Sequence, residues 1–231
     1  LAFFIVEPIM GCGGQIILPA SFMTEAFKSV KEAGGLCIVD EVQIGFGRVG
    51  SHFWGFEMSG VIPDIITIGK PIGNGHPLSV VITKKNIAEV FNNGMEYFNS
   101  FGGNPVSSEI GQAVLDIIKE EDLQKNAYET GTYLLTGLED LKDKYHIIGD
   151  IRGCGLFIGI ELIKNYENML PAAHEAELVV NQMKQKGVLI SLDGPDYNVL
   201  KIKPPLVFNK NNADYLLESL EAVMVDNNFR V

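Results

Sequence analysis

Two charged residues, Asp40 and Lys70, close apolar stretches of the chain and are the first candidates for chemistry. The stretches, residues 36–39 and 65–68, are short, continuous and bounded by turn residues, which indicates strands buried on both faces of a parallel sheet. Ligands of open α/β sheets lie beyond the carboxyl ends of the strands, so an anion and an amine would meet there. Because burying either charge alone is costly, the pair indicates a cofactor between them, with Lys70 as an activated amine.

The pattern around these residues predicts the elements that position them. An apolar strand at residues 1–6, a glycine-rich loop at 9–19, and alternating strands and helices follow one another up to about residue 120. Beyond that point short strands, among them residues 188–191, alternate with two further helices. We therefore expect an α/β domain with a mostly parallel sheet at residues 1–120 and a smaller α+β domain at residues 121–231.

Composition excludes several function classes. The chain has 231 residues, a net charge of -11 and 46% hydrophobic residues, which is typical of a globular protein and argues against binding to nucleic acid or an anionic membrane. No apolar run is long enough for a transmembrane helix. The three cysteines are widely separated and odd in number, which favours a reducing intracellular compartment without distinguishing cytosol from mitochondrion.

The first residues predict the interior of a longer protein. Residues 1–6 are apolar, lack the basic flank and cleavage site of a signal peptide, and do not begin with Met. We interpret them as an internal strand and expect this stretch to be the C-terminal part of its protein, with an incomplete site when isolated.

Each candidate residue also has an ordinary structural interpretation. Lys70 could be a surface lysine, although Gly73 and Gly75 after it allow close approach of a ligand to the backbone. A metal site at Asp40 is disfavoured because His52 and His76 fit no ligand spacing around it.

Several ordered motifs resemble the class III aminotransferases, which are fold-type I enzymes dependent on pyridoxal 5′-phosphate (PLP). The two main segments are residues 39–48 (VDEVQIGFGR) and residues 64–70 (DIITIGK). Further matching blocks are residues 7–8 (EP), 100–105 (SFGGNP), 151–156 (IRGCGL) and 204–205 (PP). Together they span nearly the whole chain, and the first domain would then be the C-terminal portion of the PLP-binding large domain.

The resemblance implies a role for each matched residue. Lys70 would form the Schiff base with PLP, and Asp40 would keep the pyridine nitrogen protonated so that the ring acts as an electron sink. Val42 would pack on the ring face and Gln43 would donate to the phenolic oxygen. Ser100 stands where the family usually has Thr, whose hydroxyl reaches the cofactor phosphate of the partner subunit, so a homodimer is implied.

Two departures from the family pattern bear on substrate choice. Lys201 occupies the position of an arginine that clamps a substrate carboxylate, and lysine cannot make that bidentate fork, although it can serve a phosphate as a point charge. His76 stands where many members have an apolar residue, and we expect it to contact the substrate. Neutral drift at Lys201 and a hydrogen-bonded turn role for His76 remain alternatives. With these residues the chain most resembles the phospho-lyase branch.

The predicted function is therefore a PLP-dependent phospho-lyase that eliminates phosphate from ethanolamine phosphate or 5-phosphohydroxylysine. Such substrates would leave an aldehyde, ammonia and phosphate. One alternative is a class III aminotransferase that moves an amino group to a keto acid. Another, from a different class, is a non-catalytic partner subunit, against which the retention of Lys70 and Asp40 argues.

Overall fold

The computed structural model describes residues 1–229. Within it the chain folds into two compact units, each made of segments that are separate in the sequence. The first unit comprises residues 1–8, 18–47 and 52–122, and the second comprises residues 9–17, 48–51 and those from 123 onward. The domain boundary expected near residue 121 stays a prediction.

The first unit is an α/β layer built on the predicted apolar strands. Its strands are β1 (Phe3–Val6), β4 (Leu36–Asp40), β5 (Ile65–Ile68) and β6 (Val80–Thr83). Its helices are α1 (Phe22–Glu32), α2 (Lys85–Phe91) and α3 (Pro105–Glu120). The second unit has strands β2 (Ile9–Met10), β3 (Ile16–Ile17), β7 (Ile148–Cys154), β8 (Phe157–Leu162), β9 (Ser191–Asp193) and β10 (Val199–Ile202), and helices α4 (Leu123–Lys142), α5 (Ala173–Gln185) and α6 (Lys210–Asp226).

The sheet of the first unit has the order β1-β4-β5-β6. The pairs β1–β4 and β4–β5 are parallel, and β6 joins antiparallel to β5, so the predicted mostly parallel sheet is confirmed. One face packs against α1, through the buried side chains of Phe27, Val30, Cys37 and Val39. Strand β4 alternates buried and half-buried residues, and its last residue, Asp40, belongs to the half-buried set.

The second unit is an antiparallel sheet of order β7-β8-β10-β9 with a core formed by helices α4, α5 and α6. The strand expected at residues 188–191 lies at Ser191–Asp193 instead, because the pairing with β10 sets Ser191 opposite Lys201 and Asp193 opposite Val199. The expected loop at residues 9–19 contains the short hairpin β2–β3.

No helix among residues 1–229 is both long enough and apolar enough to cross a membrane.

Candidate active site

The main candidate residues of the first unit lie where two neighbouring parallel strands end. Asp40 is the last residue of β4 and pairs in register with Thr67 of β5, three residues before Lys70. The start of β5 is anchored by Asp64, whose carboxylate accepts from the Cys37 amide at 2.9 Å and from the Lys84 ammonium at 2.5 Å. Burial alone would raise the pKa of Asp64, but these two donors lower it below its ordinary value.

The backbone at Lys70 is strained. Its φ is +32°, a left-handed value that side-chain-bearing residues rarely adopt, and it begins a short 3-10 turn at Lys70–Ile72. Gly69 before it is extended, so the chain reverses direction sharply at the end of β5. Strain of this kind costs about 1–3 kcal/mol and is concentrated at functional sites. The surrounding structure therefore holds the Lys70 backbone in this conformation, while the Lys70 side chain is exposed.

The carboxylate of Asp40 is only partly used by the protein. Its Oδ1 atom accepts from the Val42 amide at 2.9 Å, and no other hydrogen bond to this carboxylate comes from residues 1–229. Val42 lies against the residue before Lys70, since a Cβ placed on Gly69 would be 3.4 Å from Cγ1 of Val42. Asp40 and Val42 therefore lie beside the end of β5, next to the segment that leads to Lys70.

Gln43 and Glu41 extend this site. The side-chain amide of Gln43 donates to Glu7 Oε2 at 3.2 Å, which links the ends of β1 and β4. Glu41 is fully buried, and its two oxygens accept from the amides of Gly55 and Phe56 at 2.9 and 2.8 Å. Burial raises the pKa of Glu41 to about 7, although these two hydrogen bonds oppose the shift. The sequence alone marked Glu41 only as the neighbour of Asp40.

His76 is held by a hydrogen bond in a turn. Its Nε2 lies 2.8 Å from Oγ of Ser107, and the same hydroxyl accepts from the Asn104 amide at 2.9 Å. Asn104 caps the N-terminus of α3 by accepting from the Ser107 backbone. A cavity of about 500 Å³ lies beside His76 and the loop that carries the exposed Ser100. The predicted substrate contact of His76 and the phosphate contact of Ser100 stay predictions.

Lys201, in the second unit, forms an ion pair that the sequence did not indicate. Its ammonium lies 2.9 and 2.7 Å from the two carboxylate oxygens of Asp193. The buried side chain of Gln15 donates to Oδ2 of Asp193 at 2.7 Å and to the Gly11 carbonyl at 3.0 Å. Gln15 and Asp193 follow no motif in the sequence, so only the folded structure reveals that they hold Lys201.

Comparison with known proteins agrees with the geometry. The family model described as aminotransferase class III matches residues 1–224. This chain belongs to the class III aminotransferase family. Family membership makes PLP the cofactor of the site.

The relatives include proteins named as aminotransferases and proteins named as phospho-lyases. "Alanine--glyoxylate aminotransferase 2-like" of Drosophila melanogaster is 51% identical over 97% of this chain and 47% of its own length. "Ethanolamine-phosphate phospho-lyase homolog 1" of Caenorhabditis elegans is 41% identical over 97% of this chain and 49% of its own length. A phospholyase from Arthrobacter, solved in complex with phosphoethanolamine, matches with a TM-score of 0.93 and 42% identity, over 96% of this chain and 53% of the other. The chain thus spans about half the length of these proteins.

The residues at the strand ends fit PLP. Asp40 would offer a carboxylate oxygen to a protonated ring nitrogen, Val42 would offer an aliphatic surface to a ring face, and Lys70 would offer the amine that a carbonyl cofactor requires. The buried hydroxyl oxygen of Thr67, next to Asp40, makes no hydrogen bond within residues 1–229. A site that leaves a carboxylate oxygen and a buried hydroxyl without partners among residues 1–229 is suited to receive a polar ring.

Proposed function

We propose that the protein carrying this chain is a PLP-dependent phospho-lyase that releases phosphate from a phosphorylated amine, either ethanolamine phosphate or 5-phosphohydroxylysine. The observation that carries the proposal is the ion pair between Lys201 and Asp193, at the position where family resemblance puts a carboxylate-binding arginine. The ammonium of a lysine lacks the planar fork with which an arginine clamps the carboxylate of an amino acid.

Lys201 differs from an arginine in the geometry of its hydrogen-bond donors. An arginine presents a planar fork that matches a carboxylate with two parallel hydrogen bonds, whereas an ammonium presents three donors around one charge. In this chain the two carboxylate oxygens of Asp193 lie within 2.9 Å of that ammonium and fix its position. A remaining donor of Lys201 can still contribute one hydrogen bond to a phosphate oxygen, which is the role that we propose for it.

Each strand-end residue then has a role. PLP, when bound, supplies the electron sink that makes the carbon beside the amine acidic. Lys70 takes the proton from that carbon, and Asp40 holds the proton on the ring nitrogen. Val42 fixes the ring plane, and Gln43, restrained by Glu7, donates to the phenolic oxygen. His76 is proposed as a further substrate contact.

The covalent change is an elimination of phosphate from the carbon next to the one that bears the amine. The C–H bond beside the amine breaks, and the C–O bond of the adjacent phosphate ester breaks with its electron pair leaving on phosphate. Water then hydrolyses the released enamine to an aldehyde and ammonia. Phosphate is a good leaving group, so the reaction requires no additional strong acid from the protein.

Relatives in both sequence and structure support this proposal. The Arthrobacter structure, with a TM-score of 0.93, contains phosphoethanolamine, and the Caenorhabditis elegans relative is named as a phospho-lyase homolog. Ser100 further supports a homodimer, in which its hydroxyl would reach the cofactor phosphate of the partner subunit.

Amino-group transfer is the second candidate. It is favoured by the 51% identity with the Drosophila melanogaster relative, whose name is that of an aminotransferase. In that reaction Lys70 would return the proton to the cofactor carbon, and the amine would pass to a keto acid such as glyoxylate.

One experiment separates the two candidates. The full-length protein with PLP is incubated in parallel with ethanolamine phosphate, with 5-phosphohydroxylysine, and with alanine plus glyoxylate, and phosphate, aldehyde and pyruvate are measured. We expect equal amounts of phosphate and aldehyde from one phosphorylated amine, with both lost in Lys70→Ala. Pyruvate formation without phosphate release from either amine would contradict the proposal and establish amino-group transfer.

A further inference from the structure

The hydroxyl of Thr67 is an unexplained polar group in the middle of the cofactor region. Its Oγ1 atom is buried and makes no hydrogen bond to any of residues 1–229. The backbone carbonyl of Thr67 has a partner, since it accepts from the Glu41 amide at 2.9 Å. The side-chain oxygen has none among residues 1–229.

Strand register puts this hydroxyl beside the acidic residue of the site. Thr67 is the in-register neighbour of Asp40 in a parallel pair, so the two side chains project from the same face of the sheet. Gly69, two residues after Thr67, shares that face and contacts Val42. Thr67 thus belongs to the patch that contains Asp40, Val42 and the start of Lys70.

An orphaned buried hydroxyl is costly, and a simple substitution would avoid the cost. Burying a hydroxyl without a hydrogen bond is unfavourable, because the hydroxyl loses its hydrogen bonds to water and gains none in return. Valine has nearly the same shape and would fill the position without that penalty. We therefore expect the Thr67 hydroxyl to gain a hydrogen-bond partner when the cofactor is bound.

Asp40 is the partner that the geometry favours. Its carboxylate receives one hydrogen bond, from the Val42 amide to Oδ1, and none further from residues 1–229. The carboxylate has about four lone-pair sites, so it can accept a ring N–H and a hydroxyl together. A hydroxyl donating to a carboxylate forms a charge-assisted hydrogen bond, which is stronger than a neutral one.

We propose that Thr67 is a positioning residue that acts through Asp40: its hydroxyl donates to the Asp40 carboxylate in the cofactor-bound protein and fixes the orientation of that carboxylate toward the ring nitrogen. Thr67 would gain this partner once the Asp40 carboxylate is oriented toward a bound cofactor. The hydroxyl then contributes to cofactor affinity and does not stabilise the cofactor-free fold.

The test compares cofactor affinity with the stability of the cofactor-free protein. In the full-length protein, Thr67→Val should raise the Kd for PLP, measured by absorbance titration, about tenfold, as expected from the loss of one hydrogen bond to a charged group. Its cofactor-free Tm should be unchanged or higher. Thr67→Ser keeps the hydroxyl and should restore the Kd.

Thr83→Val is the matched control. Thr83 lies in the same sheet, but its hydroxyl already donates to the Asp64 carbonyl at 3.1 Å. Its loss should lower the cofactor-free Tm and leave the Kd unchanged. A wild-type Kd for Thr67→Val would overturn the proposal, and so would an equal rise in Kd for both valine variants.

A double-mutant cycle tests the route through Asp40. In an Asp40→Asn background, where the charged acceptor is gone, Thr67→Val should change the Kd by less than about threefold, because coupled residues show strongly non-additive effects. A full tenfold change in that background would show that Thr67 contacts another group and would overturn the assignment to Asp40.

Discussion

The ammonium of Lys201 lies 2.7 Å from Oδ2 of Asp193, and that same oxygen accepts a hydrogen bond from the side chain of Gln15. Both side chains of the ion pair are mostly buried, with exposures of 19% and 10%. The lysine that replaces the family arginine is thus part of an internally balanced polar cluster.

Removing one partner of this ion pair should destabilise the protein, because the remaining charge would be buried without compensation. We expect Lys201→Met to lower the free energy of unfolding by about 3 kcal/mol, the magnitude seen when buried pairs are broken. The double variant Lys201→Met and Asp193→Asn should recover most of the loss. Urea unfolding measures both effects, and an equal loss in the single and double variants would show that the loss does not arise from an uncompensated charge on Asp193.

Substituting arginine for Lys201 should shift substrate preference toward amino acids, because the guanidinium supplies the missing fork for a carboxylate. We expect Lys201→Arg to lower kcat/KM for phosphate release about tenfold or more, because the larger planar guanidinium places its donors differently from the ammonium. Transfer from alanine to glyoxylate should rise.

Lys203→Arg is the control for the added guanidinium, since Lys203 lies two residues away with its ammonium 4.9 Å from the centre of the Phe157 ring. Identical changes in kcat/KM for phosphate release in both variants would contradict a specific role for Lys201.

Glu41 should make stability depend on pH. Burial raises its pKa from the ordinary 4.5 to about 7, so between these values the folded state binds more protons than the unfolded state. Stability from this group is therefore present at low pH and is lost as pH rises through about 7. A shift of this size corresponds to on the order of 3 kcal/mol.

Glu41→Gln resembles the protonated form at every pH and should remove this dependence. Relative to the wild type, the variant should gain stability as pH rises from about 5 to 8, the window around the shifted pKa. Urea unfolding across that range provides the measurement, with Glu57→Gln as the control for loss of an exposed carboxylate in the adjacent turn. Parallel curves for wild type and Glu41→Gln would contradict the prediction.

Two glycines with nearly the same φ angle allow the cost of backbone strain to be measured separately from the cost of steric crowding. Gly50 and Gly34 have φ values of +76° and +75°, but a Cβ on Gly50 would lie 2.5 Å from Cα of Tyr128, whereas nothing lies within 4 Å of a Cβ on Gly34. We expect Gly34→Ala to cost about 1–2 kcal/mol from the left-handed conformation alone. Gly50→Ala should cost at least about 2 kcal/mol more, because the backbone must move. Equal melting temperatures for the two variants would contradict this.

The sequence by itself determined the strand ends and the identity of their polar residues. The apolar runs that end at Asp40 and at Gly69-Lys70 are local patterns. They predict a parallel sheet in which ligands lie beyond the carboxyl ends of the strands. The alternation of strands and helices up to about residue 120, and the two further helices after it, were also predicted, since amphipathic periodicity is local as well.

Only the tertiary structure decided which polar groups are satisfied. Gln15 and Asp193 are separated by 178 residues, and their hydrogen bond depends on how the β2–β3 hairpin packs within the second unit. The burial of Glu41 and the unpartnered hydroxyl of Thr67 likewise depend on neighbours contributed by distant segments. Burial and hydrogen-bond pairing are properties of three-dimensional packing, so a residue type and its local pattern do not determine them.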